Sequence, residues 1–367
     1  MQGNTGDWQT FQVVRKKHET EMIASFHLAP CDGMDVPTFR PGQFLTVRLP
    51  AGEGGVELLR TYSISSPPDE RRFFRISVKR EPAPAGLSVP PGRVSTHLHD
   101  HVQVGQNLTI LPPRGDFVLS EPSQRSVLLL SGGVGLTPMV AMAHRLAAQG
   151  TRRTWFIHAC ENGRAHAFRD EVASLAARAA NLRTYACYNR PDPADREAGA
   201  FDAEGLLTAE KLQSFLPIDD YECYLCGPPG FMQALYATLI GLGVCEQQIH
   251  YEFFGPASVL KSGKTSQGEA NATASQAAPA VGAGAIVTFA RSGFSVRWDE
   301  RYNSILEFAE AHGVSPDFSC RAGVCSTCRC ALRSGAVTYF EEPLAEPGAG
   351  MALICCSRPD GDVTLDL

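Results

Sequence analysis

The chain has 367 residues, 44% of them apolar, enough for two or three packed domains. A formal charge of −6, from 39 acidic and 33 basic residues, argues against general affinity for nucleic acid or an anionic membrane. No run approaches the roughly 18 apolar residues of a membrane helix, and Met1 to Asp7 lacks the basic start and apolar stretch of a signal peptide, so a cytoplasmic location is expected.

From Phe11 to Leu119 the apolar residues fall in short alternating runs, among them Phe44–Leu49, Arg60–Ile64 and Phe74–Val78, broken by Pro and Gly clusters. This pattern predicts a small antiparallel barrel or sandwich over residues 1–120. Arg60-Thr61-Tyr62-Ser63 ends one of its strands. It offers a cation for a phosphate, an aromatic ring to lie on a flavin and a hydroxyl for the flavin's reactive nitrogen. A surface arginine beside a core tyrosine accounts for the tetrapeptide equally well when it is taken alone. Gly92-Arg-Val-Ser95-Thr96 supplies the context. Gly92 permits close backbone approach, and Ser95 and Thr96 are expected to begin a helix whose amides can receive a pyrophosphate. Two anion sites suit FAD.

The style of sequence changes near residue 120. Apolar strands at Val127–Leu130, Trp155–Ile157, Leu182–Tyr185 and Tyr221–Leu225 alternate with helical stretches such as Pro138–Ala148 and Phe231–Leu242. Alternation of this kind predicts a parallel sheet with covering helices over residues 121–257. Ser131-Gly132-Gly133-Val-Gly135-Leu-Thr137-Pro138 and Cys226-Gly227-Pro-Pro-Gly-Phe-Met232 each follow a strand and open a helix, so both loops should face one edge of the sheet and together bind a dinucleotide. Glu161, after the Trp155 strand, could accept a ribose hydroxyl and repel a 2′-phosphate, which favours NADH over NADPH; Arg164 nearby argues the other way.

Residues 261–283 are built of Ala, Ser, Gly, Thr and Gln without an aromatic side chain, and 258–283 is expected to be a flexible linker. A third domain over 284–367 should open with strands at Ile286–Phe289 and Phe294–Trp298 and a helix capped by Ser304 and Glu307. Of the twelve cysteines, Cys31, Cys160, Cys187, Cys223 and Cys245 are scattered, mostly in apolar surroundings, and read as small packed hydrophobes. Cys320-x4-Cys325-x2-Cys328 with a distant fourth cysteine is the plant-type 2Fe–2S spacing. Zinc sites more often use paired C-x2-C motifs. Cys355 and Cys356 both qualify as the fourth ligand; Cys330 reads as packing. Ile354 to Pro359 resembles a ferredoxin ending in which the ligand lies four residues before the proline, which favours Cys355.

From Phe11 to Pro256 the sequence resembles the ferredoxin–NADP reductase superfamily, in particular the reductase half of flavohaemoglobins. The stretches carrying the likeness are Arg60–Ser63, Gly92–Asp100, Gly115–Phe117, Gly132–Met139, Cys226–Met232 and His250–Pro256. The resemblance implies that Arg60, Tyr62, Ser63 and Ser95 hold FAD, that Gly132 to Pro138 hold the nicotinamide nucleotide, that Cys226 and Glu252 lie beside the hydride path and that Phe254 flanks the flavin ring. Thr96 stands where that family usually has Asn, and no globin precedes the module, so haem-based dioxygenation is not expected. The last domain is similar to plant-type ferredoxins of the β-grasp fold. The layout implies an NAD(P)H-dependent reductase passing electrons through FAD and a 2Fe–2S cluster to an oxygenase or a hybrid-cluster protein. Reduction of small acceptors and a redox-sensing role stay open as alternatives.

Overall fold

The computed structural model describes residues 8–49, 58–82, 92–254 and 285–367, the last without positions 301, 303, 315, 317, 319–322, 324–327, 341–342 and 344–345. The chain divides into two compact units, Met1–Phe254 and Gly255–Leu367. The expected linker falls outside the described residues.

The first unit opens with β1 (Gln9–His18), β2 (Ile23–Pro30), β3 (Phe44–Leu49), β4 (Leu58–Ser63), β5 (Phe74–Lys79), helix α1 (Arg93–Asp100) and β6 (Asn107–Arg114). Its strands form an antiparallel sheet in the order β4-β3-β6-β1-β2-β5. A bridge between Ile64, just past β4, and Ile76 of β5 brings the two ends of that order together, so the sheet curls into a barrel. Phe11, Phe26, Leu45, Val47, Phe74 and Ile76 fill its interior. Closure explains why β3 and β5 are buried nearly throughout, although alternation alone would leave one face in water.

Next come β7 (Ser126–Gly132), α2 (Leu136–Gln149), β8 (Thr154–Cys160), α3 (Arg169–Arg178), β9 (Leu182–Tyr188), α4 (Pro193–Glu197), β10 (Ala203–Glu204), α5 (Ala209–Phe215), β11 (Tyr221–Gly227), α6 (Pro229–Gly241) and β12 (Ile249–Phe253). The strands run parallel in the order β10-β9-β8-β7-β11-β12. Side chains alternate across this sheet: Phe156 and Leu129 pack against α2 and α3, while Trp155 and Tyr185 meet Phe215 of α5 on the opposite face. The order reverses between β7 and β11, and both strands end in the glycine loops expected at one sheet edge.

A clamp ties the barrel to this sheet. Arg75 of β5 is held by both carboxylate oxygens of Glu171 on α3, at 2.7 and 2.8 Å, and lies 4.7 Å from the ring of Phe168. Among the described residues Phe168 alone is a non-glycine with positive φ, 56°.

The second unit contains β13 (Ile286–Phe289), β14 (Phe294–Arg297), α7 (Ile305–Ala311), β15 (Arg329–Tyr339), β16 (Met351–Leu353) and β17 (Ser357–Leu365), in sheet order β14-β13-β17-β15-β16. β13 and β17 are parallel and the other pairs antiparallel. As expected, Ser304 caps α7, its hydroxyl accepting from the Glu307 amide at 3.1 Å. Ile305, Leu306 and Phe308 turn into the core, where Phe308 packs against Trp298 at 5.0 Å.

Candidate functional site

The expected flavin residues occupy two neighbouring elements of the barrel. Arg60 to Ser63 run along β4, paired with Val47 to Phe44 of β3. Arg60 is exposed and donates only to the adjacent Leu59 carbonyl at 2.7 Å, so its guanidinium is available to an anion. Thr61 and Tyr62 are half-buried, and burial pushes the Tyr62 phenol up, so it is a neutral hydrogen-bonding group. Ser63 is buried, and its Oγ has no hydrogen-bond partner.

Helix α1 starts at Arg93, with Gly92 as its cap, two residues earlier than Ser95 and Thr96 suggested. The reason is local: the Ser95 hydroxyl turns back to the Gly92 carbonyl at 3.1 Å and accepts from the Glu81 amide at 3.2 Å, so it works inside the first turn. A Cβ at position 92 would lie 2.7 Å from that hydroxyl, which explains the glycine. Thr96 Oγ1 is buried without a partner. Two sealed, unanswered hydroxyls are costly in a folded protein unless something absent from the chain completes them. They fit a polar cofactor such as FAD.

At the topological switch point the chain has been cleared of side chains. A Cβ on Gly132 would come within 2.9 Å of Pro228 and 3.0 Å of Phe231; on Gly135, within 2.2 Å of the Cys226 carbonyl; on Gly227, within 2.6 Å of Phe231. Gly133 has φ +52°, a left-handed turn. Thr137 and Pro138 are buried in the first turn of α2, the threonine hydroxyl donating to the Val134 carbonyl at 3.1 Å. The two loops therefore interlock at the place where a doubly wound sheet receives a dinucleotide.

Cys226 and Glu252 face each other in register across β11 and β12. Cys226 is fully buried, and its thiol is pushed well up, first by burial and then by the Glu252 carboxylate. Glu252 Oε2 is sealed from solvent without a partner, and burial raises the carboxyl to about 8. At neutral pH the pair is a thiol beside a carboxylic acid. Phe254, two residues on, is exposed, with 38% of its surface accessible.

In the second unit Cys320 and Cys325 lie outside the described residues. Cys328, Cys355 and Cys356 are buried together. Gly323, with φ +64°, points its N–H at Cys355 Sγ, 3.4 Å away, whereas Cys356 Sγ bonds the Leu353 carbonyl at 3.6 Å. An amide directed at a thiolate is the arrangement that supports a cluster-bound sulfur. Cys330 packs on β15 as expected. Elsewhere Cys187 and Cys223 are buried, but Cys31 and Cys245 are exposed, contrary to their apolar sequence neighbours, because both sit in turns outside the strands.

Three family models match in order: an oxidoreductase FAD-binding domain over residues 10–119, an oxidoreductase NAD-binding domain over 129–236 and a 2Fe-2S iron-sulfur cluster binding domain over 287–360. The flavohem-like FAD/NAD binding domain of nitric oxide dioxygenase from Vibrio cholerae is 37% identical, with a TM-score of 0.60, and the match covers 68% of this chain and 99% of that one. The chain belongs to the ferredoxin–NADP reductase superfamily. This superfamily member carries, in addition, the 2Fe–2S domain. Phthalate dioxygenase reductase, whose structure is described as modular for electron transfer from pyridine nucleotides to [2Fe-2S], matches over 98% of both chains at 26% identity and a TM-score of 0.56. The flavohemoprotein of Bacillus cereus is 43% identical over 261 residues, 71% of this chain but 64% of that protein. FAD, the nicotinamide nucleotide and a 2Fe–2S cluster are accordingly the cofactors of the three domains. Among the described residues no helix is long and apolar enough to cross a membrane.

The residues that sequence reasoning missed are Arg75, Glu171 and His144, which clamp barrel to sheet; His144 Nε2 lies 2.8 Å from Glu171 Oε1. An arginine within the alternating run Phe74–Val78 gave the only hint, since a charge on a barrel strand needs a partner.

Proposed function

We propose that the protein is an NADH-oxidising reductase that delivers electrons singly, through its 2Fe–2S domain, to a separate oxygenase. The single observation carrying this reading is the order of the three domains on one chain, which phthalate dioxygenase reductase shares from end to end. A bound flavin accepts a two-electron hydride and releases electrons one at a time to a cluster. Around it, Arg60 is available for a phosphate, Thr61, Tyr62, Ser63 and Thr96 supply neutral polar groups, and Gly92 and Ser95 shape the start of α1. Gly132, Gly133, Gly135, Thr137, Pro138, Cys226 and Gly227 form the nucleotide loops. Glu252 keeps a proton on its carboxyl at neutral pH, next to the un-ionised Cys226 thiol, so no fixed charge opposes the arrival of a hydride donor. Phe254 is the exposed aromatic available to cover a ring. Cys320, Cys325, Cys328 and Cys355 are the proposed cluster ligands, the Gly323 amide supporting Cys355 over Cys356. The proposed limits are 1–120 for the flavin domain, 121–257 for the nucleotide domain, 258–283 for the linker and 284–367 for the cluster domain.

The test is an anaerobic NADH titration of the purified full chain, followed by visible absorption and low-temperature EPR. Loss of flavin absorbance with a one-electron 2Fe–2S signal is expected. Flavin bleaching without that signal would reduce the protein to a simple flavin reductase.

A further inference from the structure

Beyond the ends of β8 and β9 two short loops bring four opposite charges to the rim of the sheet. Glu161 Oε1 lies 2.6 Å from Arg190 Nε, and its other oxygen accepts from Asn189 Nδ2 at 3.3 Å. Arg164 Nε lies 2.9 Å from Asp192 Oδ2. The loops are fastened to one another. The amides of Asn189 and Arg190 donate to the carbonyls of Cys160 and Glu161, at 2.9 and 2.8 Å. Asp195 Oδ2 accepts from the backbone amides of Gly163 at 3.0 Å and Asp192 at 2.9 Å. Position 163 has to be glycine, since a Cβ there would lie 2.2 Å from Asp195 Oδ1.

These loops follow the second and third strands of the βαβαβ run that begins at β7, inside the stretch matched by the NAD-binding family model. In doubly wound sheets an acidic side chain at the end of the second strand takes the adenosine ribose hydroxyls, whereas an arginine there accommodates a 2′-phosphate. Both kinds of residue are present, and each arginine of the two loops is already matched to a carboxylate. Arg196, the next along, is likewise paired with Glu204 at 2.6 Å. Arg169 stands nearby on the first turn of α3, and its charge falls on Asp195 and His166.

Resting on the reductase reading above, we propose that Glu161 and Asp192 set the preference for NADH over NADPH, by committing Arg190 and Arg164 and by presenting carboxylates where a 2′-phosphate would enter. The pairs are solvent-exposed, with the arginine side chains 80% and 79% accessible, so each holds its arginine only loosely. Discrimination then comes as much from carboxylate–phosphate repulsion as from the lost cation. Each carboxylate is therefore expected to account for about tenfold in the ratio of the two nucleotides.

The experiment compares kcat/KM for NADH and NADPH, with a dye acceptor, in the FAD-loaded full chain and in E161Q, D192N and E204Q. It is accompanied by calorimetric titration with adenosine 2′,5′-bisphosphate and with AMP. Asn caps helices as well as Asp does, so D192N should keep α4 in place. The wild type should favour NADH by at least about tenfold, and E161Q and D192N should each shift the ratio about tenfold toward NADPH and tighten the bisphosphate relative to AMP. E204Q, on the neighbouring pair, should leave the ratio alone. A wild type that favours NADPH, a ratio unmoved by both variants, or an equal shift in E204Q would overturn the proposal. Failure to oxidise either nucleotide would overturn the reductase reading instead, while the two titrations would still judge the carboxylates.

Discussion

The carboxyl edge of the parallel sheet and the adjoining barrel strand treat polar groups in two opposite ways. Where β4, α1, β7, β11 and β12 end, Ser63, Thr96 and Glu252 are sealed from water and carry polar atoms without partners. Where β8 and β9 end, Glu161, Arg164, Arg190, Asp192 and Asp195 are matched by ion pairs or backbone amides. The first region leaves hydrogen-bonding capacity waiting, at a cost in stability that only an incoming group can offset. The second satisfies itself, and an incoming phosphate must break what is already made. Chemistry and selection are thus separated along one sheet edge.

The largest expected effect is at Glu252. Its carboxyl is raised to about 8 in the folded protein, against about 4.3 in an unfolded chain, so the folded state keeps a proton that the unfolded state releases. The stability of the neutral form is complete below the lower value and declines as pH rises through the folded one, by a total on the order of 4 kcal/mol. Glu252→Gln removes this dependence. Thermal melts between pH 5 and 8.5 should show the variant gaining steadily on the wild type as pH rises; parallel curves would mean that Glu252 is ionised and partnered. Next is Gly135→Ala, which pushes a methyl to within 2.2 Å of the Cys226 carbonyl, a backbone atom fixed between β7 and β12. Overpacking of this kind costs about 3 kcal/mol and should appear as a lowered Tm together with weakened binding of NADH. A variant as stable as the wild type would show that the loops do not interlock.

These two residues also show what was legible beforehand. The glycine loops could be read because a strand, a glycine run and a helix follow one another in the chain, and β3 and β13 start and end where the alternation of apolar residues placed them. The carboxylic acid at Glu252 could be placed only through family resemblance. Its pKa depends on burial by β11, about 26 residues earlier, and no local pattern encodes that pairing. For the same reason the Arg75–Glu171 clamp was invisible, its partners being 96 positions apart. The start of α1 was misplaced because Ser95 looks like a cap, yet its hydroxyl serves the turn that Gly92 opens.

That clamp lies between the two regions in character, being both buried and paired. Burial alone would raise Glu171, but hydrogen bonds from His144 and Arg75 overcome it and hold the carboxyl at about 2. Its contribution is therefore present above pH ~4.5 and lost as pH falls toward 2. Glu171→Gln should lower stability by about 2 kcal/mol at pH 7, less than for a fully buried pair because the site is partly open, with the deficit vanishing near pH 2. A deficit that persists in acid would point to packing instead.

The smallest effect is the sharpest test of the contrast, because its sign differs between two serines. Ser131 Oγ is buried and engaged, 2.9 Å from His158 Nδ1 and 3.3 Å from the Ile157 carbonyl. Ser63 Oγ is buried and engaged with nothing. Replacing a satisfied hydroxyl by hydrogen leaves its partner stranded and costs about 1 kcal/mol, whereas removing an unsatisfied one relieves a desolvation penalty of similar size. In the flavin-free protein Ser131→Ala should therefore lower Tm and Ser63→Ala should raise it. On adding FAD the order should reverse for position 63, the wild type gaining more than Ser63→Ala because only it can complete the hydroxyl. Equal gains from FAD in both would show that Ser63 is a packing residue, and the waiting group at this end of the barrel would then be Thr96 alone.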